Sequence, residues 1–267
     1  LACSREQSST AERSAAHQRI VSLNPTTTEL IFALGGGSRL VGRSRWDAFP
    51  PEARAIADVG DALRPNIERI LSVQPDLVVL YESPENVAAV DRLRAAGVEV
   101  LVLRIDLLEH LRRAIDTLGI VLGDTATARL VRDTVFARLD SVRAQTAGLD
   151  PPSVFIHVWD SPIITIGAGS FLHELVTIAG ARNVYGDISG PSATVSLEDI
   201  VRRNPRYVLA GPITAEHLRG DARWRAIPAV REGRIAVFDT MIVGRPSVRV
   251  GEAALSFARL LHPETIR

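Results

Sequence analysis

The chain has 267 residues, 46% of them hydrophobic and 23% charged, with a formal net charge of zero. That length suits one large or two modest domains with buried cores, and the charge balance excludes a basic nucleic-acid surface and an acidic tail. Lys is absent and the 31 basic residues are all Arg, which removes Schiff-base chemistry and a Walker-type phosphate loop.

No apolar run reaches the ~18 residues that would cross a membrane, and a single Cys excludes an internal disulfide framework. That residue, Cys3, follows Leu1-Ala2. The tripeptide resembles the end of a bacterial lipoprotein signal, so lipidation of Cys3 is expected; a chance tripeptide is the plainer alternative. Ser4 to His17 is polar and lacks bulky apolar side chains, so residues 1–18 read as a disordered tether that cannot offset its ordering entropy.

From Arg19 onward, short β-rich runs alternate with helical stretches. Ile20 to Leu23 reads as a strand closed by Asn24-Pro25. Thr26 opens a helix, with Thr26 and Glu29 spaced as a capping box, and Gly35 to Gly37 ends it. Arg39 to Gly42 is a strand, followed by a loop over Ser44 to Pro51. A helix from Asn66 precedes the buried strand Leu77 to Leu80. Pro84 to Ala96 is a helix stopped by Gly97, and Val98 to Leu103 is a strand. This alternation predicts a parallel sheet wrapped by helices. Leu107 to Leu122 is a helix. Asp124 caps a second one reaching about Ala147, whose apolar stripe reads Leu130, Val131, Val135, Leu139 and Val142. Alternation then resumes with strands at Val154 to Val158, Tyr207 to Leu209 and Ile235 to Phe238, and helices from Ser170, Ser196 and Val248.

The chain repeats itself across the long helix. Glu68 to Leu80 aligns without gaps on Glu198 to Ala210, sharing Glu, Ile, Pro and Val, and Glu29 to Gly35 resembles Glu174 to Gly180. Two ordered matches predict two α/β lobes, 19–122 and 150–267, joined by a helix over 123–149, with a cleft between them.

Ligands of open α/β sheets bind beyond the carboxyl ends of strands. Trp46, Tyr81, Trp159 and Arg245 each follow a predicted strand, and aromatic faces and guanidinium forks suit a flat ligand with polar edges. Simple packing is the alternative for each, and it is preferred for Trp224. The six His are scattered without His-x-x-x-His or Cys-x-x-Cys spacing, so no metal site or catalytic centre is indicated. Gly167-Ala168-Gly169-Ser170 fits neither a nucleophile elbow nor a dinucleotide loop and reads as a turn with an N-cap. Glu68 and Glu198 fall at the second position of their helices. There a carboxylate favours the helix dipole, and a symmetric pair of them also suits a dimeric basic partner.

The segments Arg19 to Leu30, Asp47 to Ala53 and Asn66 to Val78 resemble the cobalamin and iron-siderophore substrate-binding proteins of ABC importers, and the likeness runs from about Arg19 to Leu261. It implies two Rossmann-like lobes joined by one long rigid helix, a ligand cleft between them and no enzymatic activity. It also implies a monomer without a cofactor of its own, anchored by lipid at the outer face of a membrane and delivering a small metal chelate to a dimeric permease with its ATPase. Glu68 and Glu198 would meet arginines of that permease. The cobalamin-binding members are most alike, at Trp46, Tyr81 and Arg245, although Gly60 to Leu63 and Pro191-Ser192 lack aromatics found there. A haem-binding relative would use Tyr81 or His157 as an axial ligand; a siderophore-binding one would use Arg45, Arg64 and Arg245. A metallocluster enzyme or a sensor on the same scaffold is the remaining alternative, and one Cys argues against the former.

Overall fold

The computed structural model describes residues 17–266; residues 1–16 of the expected tether, Cys3 among them, lie outside that range, whereas Gln18, counted in the tether, donates its N–H to Asp76 Oδ2 at 2.8 Å. Two separate sheets form. The first contains β1 (Ile20–Ser22), β2 (Leu40–Arg43), β3 (Leu77–Tyr81) and β4 (Glu99–Leu103), all parallel, in the order β2-β1-β3-β4. Helices α1 (Pro25–Ala33), α2 (Ile67–Ser72) and α3 (Val87–Ala95) connect them, and α4 (Leu108–Leu122) leaves the last strand. Helix α5 (Thr125–Thr146) follows, and its 22 residues extend ~33 Å at ~1.5 Å each. Asp124 caps it by accepting a hydrogen bond from the Thr127 N–H at 2.9 Å.

The second sheet is built around β5 (Ser153–Asp160) and runs β10-β9-β5-β6-β8. It comprises β6 (Ile163–Ile166), β8 (Ser192–Thr194), β9 (Tyr207–Ala210) and β10 (Ile235–Val237), with β7 (Arg182–Asn183) also pairing β5. Its helices are α6 (Phe171–Ile178), α7 (Leu197–Arg203), α8 (Pro212–Gly220), α9 (Pro228–Arg231), α10 (Thr240–Val243) and α11 (Val250–Leu261).

Strand periodicity assigns the cores. Leu77 and Val79 face one way, Val78 and Leu80 the other; in β5, Val154 and Ile156 oppose Phe155. The inner faces of both sheets join one apolar cluster with α1, α4, α5, α6 and α11, so a continuous core crosses from lobe to lobe. Each outer face has its own cluster. Gly167 sits where a Cβ would come within 2.3 Å of the Gly190 carbonyl, and Ser170 caps α6 by accepting from the Leu172 N–H at 3.2 Å.

Three local expectations are corrected. Asn24, and not Thr26, caps α1: it holds an extended backbone, its Oδ1 accepts from the Thr26 N–H at 2.9 Å, and Pro25 takes the first helical position. Glu29 is thereby released from any capping box and is buried. In α5 the buried stripe is Ala128, Val135, Leu139, Val142 and Thr146; Leu130 lies two residues, ~200°, round from Ala128 and is 69% exposed. Trp159 lies within β5 and not beyond it. Strand β9 pairs only Val154 to Ile156, but the antiparallel β6 extends β5 by pairing Trp159 with Ile164.

Candidate ligand cleft

Parallel strands carry their carboxyl ends to one edge of each sheet, and Trp46 and Tyr81 in the first lobe and Trp159 in the second lie at or after the carboxyl ends of strands. Trp46 stands in the loop after β2. Asp47 secures that loop: it is buried, accepts from the Thr28 hydroxyl at 2.6 Å and the Ser44 hydroxyl at 2.8 Å, and takes the Ser44 N–H at 3.2 Å. Burial raises the pKa of Asp47 above the ordinary carboxylate value, against those hydrogen bonds. The Trp46 N–H is held by Ser44 Oγ at 3.1 Å while its side chain leaves the residue 64% exposed. The backbone is fixed while the indole is uncovered, so the ring is not part of the packed core.

Tyr81 ends β3. Its hydroxyl donates to Asp106 Oδ1 at 2.6 Å, and Arg104 Nε donates to Asp106 Oδ2 at 2.6 Å. Burial first, and then the Asp106 carboxylate, push the Tyr81 phenol up to about 12. Asp106 itself stays below the usual carboxylate range: burial opposes its ionisation, but Tyr81 and Arg104 outweigh it.

In the second lobe Trp159 is 61% exposed, with Nε1 donating to the Ser161 carbonyl at 3.2 Å. With His157, Asp160, Ile213, Thr214 and His217 it lines a mainly apolar depression of about 310 Å³. His217 Nε2 approaches Asp160 Oδ2 at 2.9 Å. The His157 ring is buried, edge-on to Trp224 at 5.1 Å between centroids, and burial lowers its pKa. A ring so enclosed is not offered to a metal in the cleft. Trp224 is core, as its sequence context implies. A larger groove, about 720 Å³, is lined by Arg182, Asn183 and Arg203 among others. It lies beside the amino end of β5, at the opposite edge of the sheet.

Arg45 and Arg64 both meet Asp61, and Arg245 meets Glu29. Arg45 Nε lies 3.7 Å from Asp61, and Arg64 is exposed, with its N–H on Asp61 Oδ1 at 2.9 Å. Arg245 follows α10 and is half-buried 3.6 Å from Glu29, its Nη1 lacking a hydrogen-bond partner. Glu68 and Glu198 are exposed at the second positions of α2 and α7, after the caps Asn66 and Ser196. Each helix leads into a strand of its sheet, so each N-terminus lies toward the carboxyl edge. Backbone hydrogen bonding lowers the pKa of Glu198.

Residues that sequence reasoning passed over include Asp106, Ile213, His217 and Glu29. Asp106 and Ile213 had a positional signal, since Asp106 closely follows β4 and Ile213 follows β9 at Gly211-Pro212, whereas His217 lies deeper in α8. Glu29 had only its repeat match to Glu174, and its spacing fitted a cap. Among the described residues no helix is long and apolar enough to cross a membrane, and no cluster of His, Cys, Asp or Glu could hold a metal ion.

The chain is 30% identical over 258 residues to the ABC transporter substrate-binding lipoprotein YvrC of Bacillus subtilis, covering 94% of this chain and 82% of that one. It is 29% identical over 206 residues to the vitamin B12-binding protein of Salmonella paratyphi A, covering 77% of each. The solved periplasmic heme-binding protein RhuT of Roseiflexus sp. RS-1 superposes with a TM-score of 0.80 at 26% identity, over 92% of this chain and 99% of that one. The family model described as periplasmic binding protein matches residues 20–240, and this chain belongs to the periplasmic binding protein family.

Proposed function

We propose that this protein is the extracytoplasmic substrate-binding subunit of an ABC importer, which captures a corrinoid (cobalamin or cobinamide) between its lobes and delivers it to a dimeric permease with its ATPase. Relatives bearing substrate-binding and vitamin B12-binding names support the role. The observation that carries the choice of ligand is Tyr81. An axial tyrosinate on haem iron requires loss of the phenolic proton, and here that proton is held on Asp106 at 2.6 Å with the pKa near 12. Tyr81 therefore stays neutral, and with its one proton given to Asp106 its hydroxyl oxygen is left to accept from the amide N–H groups at the rim of a corrinoid, while Trp46 and Trp159 supply apolar faces from the two lobes. The likeness to RhuT favours haem as the second reading; a ferric siderophore would need Arg45, Arg64 and Arg245 to act together. Cys3 is the proposed point of lipid attachment, which mass spectrometry of the membrane-extracted protein checks against Cys3→Ser.

Titration with cyanocobalamin, cobinamide, haemin and ferric siderophores tests the ligand. A corrinoid is expected to bind below ~10 μM; binding of haemin or a siderophore alone at that level overturns the choice. Glu68 and Glu198 are the proposed permease contacts, as two exposed carboxylates at equivalent places on the two lobes. Glu68→Arg with Glu198→Arg should abolish transport in reconstituted vesicles and leave ligand affinity unchanged. Undiminished transport would reduce the pair to helix-capping charge.

A further inference from the structure

The duplicated segments around Glu29 and Glu174 lie in α1 and α6, which open equivalent places in the two lobes. Both carboxylates cross to the opposite lobe. Glu29 Oε2 and Oε1 accept from Arg249 Nε at 3.1 Å and Nη2 at 2.9 Å, and Arg249 is the cap residue of α11. Glu174 Oε2 accepts from the N–H of Leu108, the first residue of α4, at 2.7 Å. Helices α4 and α11 are themselves equivalent, since each follows the last strand of its lobe's parallel core. Helix α4 has no side-chain cap of its own, so Glu174 supplies one from the other lobe. Beside it the Phe171 N–H reaches the Asp106 carbonyl at 2.6 Å.

We propose that Glu29 and Glu174 are paired positioning residues. Each holds the start of the other lobe's exit helix, together they fix the width of the cleft, and Glu29 also aims Arg245. Arg249 occupies both Glu29 oxygens, donates to the Met241 carbonyl at 2.7 Å and lies 4.0 Å over the Phe49 ring. Arg245 Nη1, 3.6 Å from the same carboxylate, keeps its charge partner but is buried with no hydrogen-bond acceptor among the described residues. A ligand carbonyl, carboxylate or phosphate oxygen would complete it once the cover over Nη1 moves aside. This last step rests on the cleft being the ligand site; the paired latch does not.

The two carboxylates differ in a way that makes the idea testable. Glu174 takes one backbone N–H, which the oxygen of a Gln amide also accepts. Glu29 faces guanidinium donors, against which a Gln amide would set its own NH2. Hydrogen exchange in the ligand-free protein reads both. Glu29→Gln should speed exchange over 240–250 by about tenfold, and Glu174→Ala should do the same over 107–111, with Glu174→Gln near wild type. Arg249→Gln is the second variant for the first latch and should match Glu29→Gln. Unchanged local exchange, a Glu174→Gln indistinguishable from Glu174→Ala, or a uniform rise across both sheets overturns the latch. For Arg245, Glu29→Gln should weaken cyanocobalamin binding by about tenfold; wild-type affinity alongside raised exchange overturns that part. If the wild-type protein binds no cyanocobalamin, the corrinoid reading falls while the exchange data still decide the latch.

Discussion

The outer face of the first sheet and the outer face of the second are built from the same strand–helix unit and filled with different chemistry. The first is aliphatic, with Val21, Leu23, Ile70, Val78, Leu80 and Leu93 at its centre. The second stacks Phe155 on Trp224, with ring centroids 6.5 Å apart, and sets Tyr185 and His157 edge-on around them. The duplicated pattern thus specifies backbone units and helix caps but not the residues that pack between them. In the second lobe the aromatic stack underlies β5, the strand that carries the exposed Trp159.

The largest expected effect exploits that contrast. Trp224→Ala should cost about 3–5 kcal/mol, by lost burial and an unfilled cavity, measured by chemical denaturation. Ile70→Ala in the first lobe should cost about 2–5 kcal/mol, and its loss should leave exchange in the second lobe's outer cluster less affected. Equal damage to both outer clusters from either substitution would mean that the shared inner core, and not each outer face, sets stability. Next comes Gly167→Ala, which drives a methyl against the Gly190 and Ile188 carbonyls at 2.3 and 2.7 Å and should cost about 1–3 kcal/mol. The first sheet has no counterpart to this antiparallel extension, so an unperturbed Gly167→Ala would show that the β6–β8 edge moves freely.

The same contrast separates what the sequence shows from what it hides. Parallel strands Leu77–Tyr81 and Tyr207–Ala210, with their caps Asn66 and Ser196, are legible because hydrophobic runs, Pro and N-cap residues are local signals. Strands β6 and β8 are not, since an edge hairpin of mixed residues has no strong period and its pairing is set by tertiary contact. Exposed Trp46 could be placed after its strand from position alone, whereas Trp159, expected beyond β5, lies within it, because pairing with β6 extends that strand. The burial of Glu29 could not, because its partner Arg249 is 220 residues away.

Smaller still, the two exposed tryptophans, Trp46 and Trp159, should differ. Trp46→Ala should weaken ligand binding by about 1–3 kcal/mol, as its loop is pinned by Asp47 and its ring is presented at little ordering cost. Trp159→Ala should cost less, with calorimetry as the measure. The neighbouring Ile213, 86% exposed, leaves apolar surface on that wall. A larger loss at Trp159 would reverse the assignment and place the main contact on the second lobe.

The smallest effect is a pH dependence that runs in opposite directions in the two lobes. Asp47 in the first is buried among hydroxyl donors, and burial raises its pKa above the reference 3.8. The folded state then holds its proton more tightly than the unfolded chain, so this group's contribution falls as pH rises from 3.8 through the folded value. Asp199 in the second lobe is the reverse: burial opposes its charge, but Tyr185, Arg203 and Arg202 outweigh that and lower its pKa. It contributes above 3.8 and loses that contribution as pH falls through the lowered value. Asp47→Asn removes only the first of these. Its stability deficit against wild type should therefore be greatest at acid pH, where the protonated Asp47 keeps its bonds to Thr28 and Ser44, and should narrow toward neutrality, measured by denaturant titration across that range. A deficit that widens with pH would mean the carboxylate is held ionised by Arg43, whose charge alone works with the hydroxyl and N–H donors against burial, and the Trp46 loop would then be fastened by charge in the manner of the second lobe.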